Sequence, residues 1–516
     1  MDQDEIIRRL SLGDGFGNIA PERIDTHIST ILLIGPDVYK LKHAVATSYL
    51  NYSHLEDRHR FCQAEIDINR RTAPQIYLDV VPIRVTSNDE LVLGDGPGAP
   101  IEWLVHMRRF PQEALLDHIA GEGGLTRSVM IDLADAVAGF HQSAKPVRDG
   151  HASRRIAAVL QENQLELQKY SGDVIDQSEI KAFDQRCQAH FAKQTDRIDR
   201  RGEAGFVRHC HGDLHLRNIC LIDGQPLLFD AIEFSDDFSH IDVLFDLAFL
   251  LMDLEHRGLR VQANALFNRY LYRTEDVDDL VLLPLFLALR AGIRAHTSAM
   301  AAKSANDETS KEQWEHDAIG YLRLGLNLAD ADRPSFVALG GLSGAGKSTV
   351  ATELAPFIGP TPGALILSSD LIRKRLMGVE PLTKLAETAY SRETDERVYE
   401  EMMDTAGRAL SNGQSVVLDA TFQDPARRQQ AESVGRSAGI RLNGIWLRAS
   451  SERLYDRVDG RSNDPSDATS SVLARQLTND VGDIGWPQID ADRPLAMVTD
   501  HIYRVASLKR PRIFGT

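Results

Sequence analysis

Three stretches of this 516-residue chain carry side chains whose types and spacing suit chemistry on phosphate groups. The most specific is Gly340-Gly341-Leu342-Ser343-Gly344-Ala345-Gly346-Lys347-Ser348-Thr349, which matches G-x-x-x-x-G-K-[ST] from Gly341 to Ser348. Such a turn lets backbone N–H groups curl round phosphate oxygens at a helix N-terminus. Lys347 would reach the β- and γ-phosphates and Ser348 would ligate Mg²⁺. The second stretch is His209-Cys210-His211-Gly212-Asp213-Leu214-His215-Leu216-Arg217-Asn218-Ile219, followed by Leu227-Leu228-Phe229-Asp230-Ala231-Ile232-Glu233-Phe234. Its H-x-D-x-x-x-x-N form, with a short strand ending in an acid, supplies the parts of in-line phosphoryl transfer. Asp213 would accept the proton of the attacking hydroxyl, and Asn218 and Asp230 would carry metal ions. The third stretch lies beyond the glycine loop. Asp370-Leu371-Ile372-Arg373 puts an acid and an arginine one helical turn apart, which suits a general base with a phosphate clamp and equally a plain N-cap. Asp419 ends an apolar run, a position suited to Mg²⁺ or its water shell.

These residues need elements to hold them. Phe336–Leu339 reads as a short buried strand, and a helical pattern begins at Val350, so the glycine loop has the strand–loop–helix setting it requires. Ala364–Asp370, Ser415–Phe422 and Leu442–Leu447 read as further strands, with ligands expected at their carboxyl ends. Arg453, Arg457 and Arg461, spaced by four, predict one arginine face on a helix, either a phosphate-directed lid or a solvated face. In the first part, Ile31–Ile34 and Val38–Lys42 predict a hairpin, followed by a helix over 55–71 that carries Glu65. A strand-borne lysine paired with a helix-borne glutamate is a device for holding ATP phosphates. Lys40 and Lys42 share one strand face, so pattern alone does not separate them. Strands are expected at 76–85, 90–93 and 101–107, then helices at 116–120, 128–143, 153–169, 242–254, 259–272, 281–300 and 312–330. Asp242 and Asp246 open an apolar helix, as a cap or as partners of the Asp213 loop. Arg290 and Arg294 share a helix face, toward an anionic acceptor or toward solvent and salt bridges. Gly13, Gly15 and Gly17 have no strand before them and read as a loop.

Composition narrows the class. Hydrophobic residues at 43% and charged residues at 26% are ordinary for a globular protein, and the length predicts more than one domain. The formal charge of −17 is uneven: 22 basic against 23 acidic residues from Ser335 onward, and 36 against 52 before it. That acidity disfavours nonspecific nucleic-acid binding by the first part, while the balanced second part stays open to an anionic substrate, nucleic acid included. The acidic N-terminus shows no secretory signal, and no apolar run is long enough to span a bilayer. Cys62, Cys187, Cys210 and Cys220 form no disulfide framework, and Cys210, His211, His215 and Cys220 fit no common zinc spacing, so a reducing cytoplasm is expected.

HGDLHLRN with LLFDAIEF resembles the aminoglycoside-phosphotransferase-like branch of the protein-kinase fold. Thr26-His27-Ile28-Ser29-Thr30, Val38-Tyr39-Lys40 and Glu65-x-x-x-Asn69-Arg70-Arg71 resemble a bacterial subgroup that fuses such a domain to a P-loop kinase. D-x-x-R after the second strand, V-V-L-D-A-T and R-x-x-x-R before Ser466-Asp467-Ala468 resemble P-loop kinases that include polynucleotide 5′-kinases, gluconate kinases and zeta toxins. The resemblance implies a bilobal, protein-kinase-like α+β domain at 1–330, with a small lobe at 1–107 and a large lobe at 108–330. A linker at 331–335 would lead to an α/β P-loop NTPase domain with a parallel sheet at 336–516. It further implies Lys40 as the phosphate lysine paired with Glu65, and Val105 and Met107 as nucleotide contacts where the lobes join. The THIST turn would replace a glycine-rich loop. At the second site the implied nucleotide-binding residues are Gly341, Ser343, Gly344, Ala345, Gly346, Lys347, Ser348 and Thr349. The implied catalytic residues there are Lys347, Asp370, Arg373, Arg457 and Arg461, with Ser348 and Asp419 on the metal. The expected function is a tandem phosphotransferase using ATP or GTP with Mg²⁺ and a hydroxyl acceptor. Gly212 in place of arginine and the lack of D-F-G depart from protein kinases and point away from a protein substrate.

Overall fold

The computed structural model describes residues 1–26, 28–46, 50–148, 150–170, 172–305, 307–329, 333–461 and 464–508. His27, part of the expected linker, Asn463 and residues 509–516 fall outside them. Two compact units form: Met1–Glu162 with Gln194–Asp253, and Asn163–Lys193 with Leu254–Thr516.

The chain opens on α1 (Gln3–Ser11), which Asp2 caps by accepting from the Glu5 amide. Antiparallel strands follow: β1 (Glu22–Asp25), β2 (Ser29–Ile34) and β3 (Asp37–Lys42), then helix α2 (Leu55–Asn69), then β4 (Tyr77–Val85), β5 (Leu91–Leu93) and β6 (Glu102–Arg108). They make one sheet in the order β1-β2-β3-β6-β4-β5. Leu41 and Leu104 point to one face, where Ile6, Ile7 and Leu10 of α1 cover them. Val105 points to the other, under Cys62 and Ile66 of α2. Lys40 sits opposite Val105 and therefore shares its face. Helix α1 and strand β1 are additions to the sequence expectation. The Ile6-Ile7-Leu10 spacing is the helical signal, in a segment short enough to be overshadowed by its charges.

The rest of the first unit draws on α3 (Leu116–Gly121), α4 (Arg127–Ser143), α5 (Ala152–Gln168) and α6 (Gln177–Ala204), then on β7 (Val207–His209) and the hairpin β8 (Ile219–Ile222) and β9 (Gln225–Leu228). After α7 (Asp236–Ser239), β10 (His240–Asp242) pairs with β7, and α8 (Val243–His256) follows. Asp242 ends this short strand and, as expected, caps the helix that follows it. It pairs with the buried Arg201 at 2.6 Å and accepts from the Leu244 amide at 2.8 Å.

The second unit begins with α9 (Arg260–Thr274), α10 (Leu283–Ser304) and α11 (Glu308–Leu328). Among the described residues, 280–304 is the one helical segment long and apolar enough to cross a membrane. It is 72% buried, as a core helix is. The parallel sheet uses β11 (Phe336–Gly340), β12 (Leu365–Ser368), β13 (Val416–Asp419), β14 (Leu442–Arg448) and β15 (Gln488–Asp490). Its order is β12-β13-β11-β14-β15, with every pair parallel. Every residue of β11 and β13 is buried, as strands covered on both faces are. The helices are α12 (Lys347–Leu354), α13 (Ser369–Leu376), α14 (Arg392–Ser411), α15 (Pro425–Ser437), α16 (Ser451–Asp459), α17 (Ser470–Thr478) and α18 (Leu495–Val505).

Strand β12 is an edge, and α9 satisfies it in place of a sixth strand. Asn264 Nδ2 donates to the carbonyls of Pro362 (3.0 Å) and Ala364 (3.1 Å), while Asn268 Oδ1 accepts from the Ile366 amide at 2.6 Å. Side-chain amides can serve a strand edge because they carry both a donor and an acceptor. Helix α9 thus belongs to the same compact unit as the sheet. Asn264→Ala would strip a buried donor from two carbonyls, so a loss of about 1–3 kcal/mol is expected. Thermal unfolding reads it, and an unchanged midpoint would show that the edge needs no cover.

Candidate active sites

In the first unit, the Asp213 loop is built between β7 and the β8–β9 hairpin. Gly212 has φ +83°, and a Cβ there would lie 2.8 Å from the Phe238 carbonyl and 3.0 Å from Ile232 Cδ1. That is why arginine has no place at this position. The loop hangs from one fully buried carboxylate. Asp246 Oδ2 accepts from the His211 amide at 3.0 Å, Oδ1 from the Gly212 amide at 2.9 Å, and His141 Nε2 lies 3.1 Å from Oδ2. His141, Cys210 and Asp246 lie close enough together for a metal, but backbone amides already occupy the Asp246 oxygens, and this cluster is a brace. Asp253 Oδ2 accepts from the Leu216 amide at 3.0 Å. Burial lowers the His211 pKa, so the ring is neutral, with Nε2 donating to the Phe229 carbonyl (2.9 Å) and Nδ1 accepting from the Asp213 amide.

Asn218 Nδ2 donates to Asp213 Oδ2 (2.9 Å) and to its carbonyl (3.0 Å), and His215 Nε2 lies 3.3 Å from Asp213 Oδ2. Asp230 does not end a strand as expected. Strand β9 stops at Leu228, and Asp230 sits in a turn with φ +60°, its amide donating to Tyr77 Oη at 3.0 Å. That turn swings its carboxylate to Lys40 Nζ at 2.7 Å, and Lys40 also bonds Glu65 Oε1 at 2.9 Å. Lys42 is the more deeply buried lysine. It bonds Glu65 Oε2 at 2.5 Å and also Glu233, which accepts from Tyr52 Oη at 2.8 Å. The structure thus separates the two lysines: Lys40 faces Asp230, and Lys42 anchors Glu65 from behind. Burial opposes charge on Glu65, but the two ammonium groups outweigh it and hold its pKa at about 2. Val105 lies opposite Lys40 and Met107 opposite Val38, both packed with Cys220, Leu227 and Phe229.

In the second unit, the glycine loop joins β11 to α12, whose first residue is Lys347. Gly344 has φ +84°, and a Cβ would meet the Leu454 carbonyl at 2.5 Å. Lys347 Nζ donates to the Leu342 carbonyl at 2.9 Å and feels Asp419 and Asp370, while burial lowers its pKa. Asp419 ends β13 beside the Ser348 and Ser368 hydroxyls. Asp370 lies in the first turn of α13, bonded by Ser466 and close to Lys347, Arg373 and Arg461. Burial raises both acids. The helix cap is Ser368, so Asp370 is not an N-cap. Arg373 is buried, donating to Asp395 (2.6 Å) and the Ala389 carbonyl (3.0 Å) under the Tyr390 ring.

The three arginines do not share one helix face. Helix α16 ends at Asp459, and Arg461 lies beyond Gly460. Arg453 is exposed. Arg457 donates to the carbonyls of Gly344 (3.3 Å) and Ala491 (2.8 Å), which braces the glycine loop. Of the three, Arg461 lies toward Lys347 and Asp370, and among the described residues its buried Nη1 has no hydrogen-bond partner. Lys374, Tyr390 and Gln476 belong to no motif that marks them in the sequence. Gln476 Oε1 accepts from the Ser343 amide at 2.9 Å.

Residues 53–280 match the model of the phosphotransferase enzyme family, and residues 336–479 match that of an AAA domain. Relatives include the uncharacterized proteins Rv2004c of Mycobacterium tuberculosis and Mb2027c of Mycobacterium bovis. Each is 28% identical over 469 residues, covering 89% of this chain and 90% of the relative. Similar solved structures include a gluconokinase from Sinorhizobium meliloti (20% identity, 34% of this chain, 92% of that chain, TM-score 0.24). Another is the Mycobacterium tuberculosis APS kinase CysC with AMPPNP and APS (18% identity, 34% of this chain, 98% of that chain, TM-score 0.25). The chain is a kinase that fuses a phosphotransferase-family domain to an AAA-type P-loop kinase domain.

Proposed function

We propose that both halves are working phosphotransferases, each moving the γ-phosphoryl group of a nucleoside triphosphate, with Mg²⁺, to a hydroxyl of a small acceptor. The observation that carries this is that each site separately assembles a base candidate, a phosphate lysine and metal carboxylates. In the first these are Asp213, Lys40 held by Glu65, and Asp230 with Asn218. In the second they are Asp370, Lys347, and Asp419 beside Ser348. The orphaned, buried Arg461 Nη1 fits a phosphate oxygen there. Bound Mg²⁺ would neutralise charge on the transferring group, held by Asn218 and Asp230 at one site and by Ser348 and Asp419 at the other.

The residues do the rest by position and charge. Asp213, oriented by Asn218 and His215, takes the acceptor proton. Lys40 exchanges its contact with Asp230 for phosphate while keeping Glu65. Backbone amides of Gly346 to Thr349 cradle phosphate, and Lys347 and Arg461 offset its charge. Asp370 takes the proton of the second acceptor, with Arg373 fixing the wall beside it. Val105 and Met107 line the first nucleotide cleft.

The test is transfer from γ-labelled ATP, and from GTP, to pooled sugars, aminoglycosides, nucleosides and 5′-hydroxyl oligonucleotides. Asp213→Asn is expected to lose one labelled product and Lys347→Ala the other, each by about a hundredfold or more. Free phosphate as the sole product, abolished by Lys347→Ala and indifferent to every acceptor, would instead make the P-loop half a nucleotide switch.

A further inference from the structure

Ser466-Asp467-Ala468, just before α17, lies near Asp370 of the P-loop site. Asp467 is not a surface acid. Its side chain is 9% exposed, and one oxygen, Oδ2, accepts three hydrogen bonds: from Lys374 Nζ (2.6 Å), Tyr390 Oη (2.8 Å) and the Leu385 amide (3.1 Å). Lys374 lies on α13, one turn after Asp370, and also bonds the Thr383 carbonyl. Its side chain is only 1% exposed. Tyr390 stacks on the Arg373 guanidinium, centroid to Cζ 4.7 Å. A charged acceptor taking three donors in a dry setting is a strong, geometrically demanding contact. The neighbouring Ser466 bonds Asp370 itself.

We propose that Asp467 is a positioning residue for the P-loop reaction. It locks the returning segment 464–468 to the 383–390 loop and to α13, and so sets Asp370 and Arg461 against the transferring phosphoryl group. The inference rests on the kinase reading of this half. Three separate stretches, 370–374, 383–390 and 464–468, meet at its carboxylate: Lys374 and Arg373 already join the first two through the Thr383 and Ala389 carbonyls, and Asp467 adds 464–468 to them by a charged contact. Asp467 touches neither the glycine loop nor Lys347. Its loss therefore acts on turnover and leaves nucleotide affinity alone. A residue that merely supports the fold would lower both.

The experiment uses the full chain with γ-labelled Mg²⁺–ATP and the pooled sugars, aminoglycosides, nucleosides and 5′-hydroxyl oligonucleotides as acceptors, and counts only the label transfer that Lys347→Ala abolishes. Asp467→Asn is expected to lower that rate by about tenfold to a hundredfold, the scale of a misplaced catalytic group. A fluorescent ATP analogue should bind within twofold of wild type. Tyr390→Phe, which keeps the ring stacked on Arg373, should lower the rate by roughly threefold to tenfold. The double variant should be no slower than Asp467→Asn, since both break one network. Hydrogen exchange should rise together at the Leu385 amide and across 464–468. Wild-type rates in both variants, or equal losses in rate and nucleotide affinity, overturn the assignment to Asp467 while leaving the kinase reading intact. No Lys347-dependent turnover in the wild type overturns both.

Discussion

Asp246→Ala is expected to lower the first unfolding transition by roughly 10 °C and to abolish phosphoryl transfer at the Asp213 site. Asp246 is fully buried and accepts from two successive backbone amides, His211 and Gly212, and contacts His141 Nε2. Alanine would leave these donors buried and unpaired. Each such group costs about 1–3 kcal/mol, so about 3–5 kcal/mol is a reasonable total. For a body of this size 1 kcal/mol moves the midpoint by roughly 2–4 °C. The functional loss follows from the same bonds. The two amides belong to the residues just before Asp213, and Gly212 sits at a φ that nothing but the fold enforces. Asp246→Asn keeps one carbonyl oxygen and should fall between wild type and alanine. Calorimetry beside labelled transfer checks both effects. A midpoint within 2 °C of wild type would mean that the loop holds its shape without this carboxylate.

Arg461→Ala is expected to slow the P-loop half by about a thousandfold, at the lower end of what a phosphate-directed arginine contributes. Nucleotide affinity should change by less than about tenfold, because Lys347 and the loop amides remain. Arg453→Ala should be silent, since that side chain is exposed on α16. Arg457→Ala should weaken nucleotide binding instead, through the Gly344 carbonyl that it holds. The measurement is Lys347-dependent turnover of γ-labelled ATP with a nucleotide-binding titration. Equal losses at positions 453 and 461 would mean a general field of positive charge rather than one directed guanidinium.

These predictions separate residues that the sequence leaves equivalent. Arg453, Arg457 and Arg461 have one spacing, and periodicity puts them on one face. The helix stops at Gly460, and that stop takes Arg461 off the face that Arg453 and Arg457 share. Lys40 and Lys42 are two apart on a strand and so share a face by geometry. Only the turn at Asp230, with its positive φ, and the position of Glu233 give them different partners. Asp370 reads as a cap or a base, and the cap reading falls because Ser368 occupies the cap position.

The sequence by itself determined the reaction class, the two-part order of the chain and the candidate phosphate-binding residues. Those features are local. A glycine loop, an H-x-D-x-x-x-x-N run and an acid at a strand end each assemble their donors within about ten residues, so spacing alone specifies the chemistry. Tertiary structure decided everything that joins distant segments: Asp246 beneath the Asp213 loop, Asn264 and Asn268 along the β12 edge, Gln476 on the Ser343 amide and Asp467 between three stretches. Each is a polar side chain whose partner lies 34 to 133 positions away in the chain. Such a residue looks like any surface acid or amide until the fold buries it. Once it is buried, the cost of an unpaired polar group dictates what it must touch.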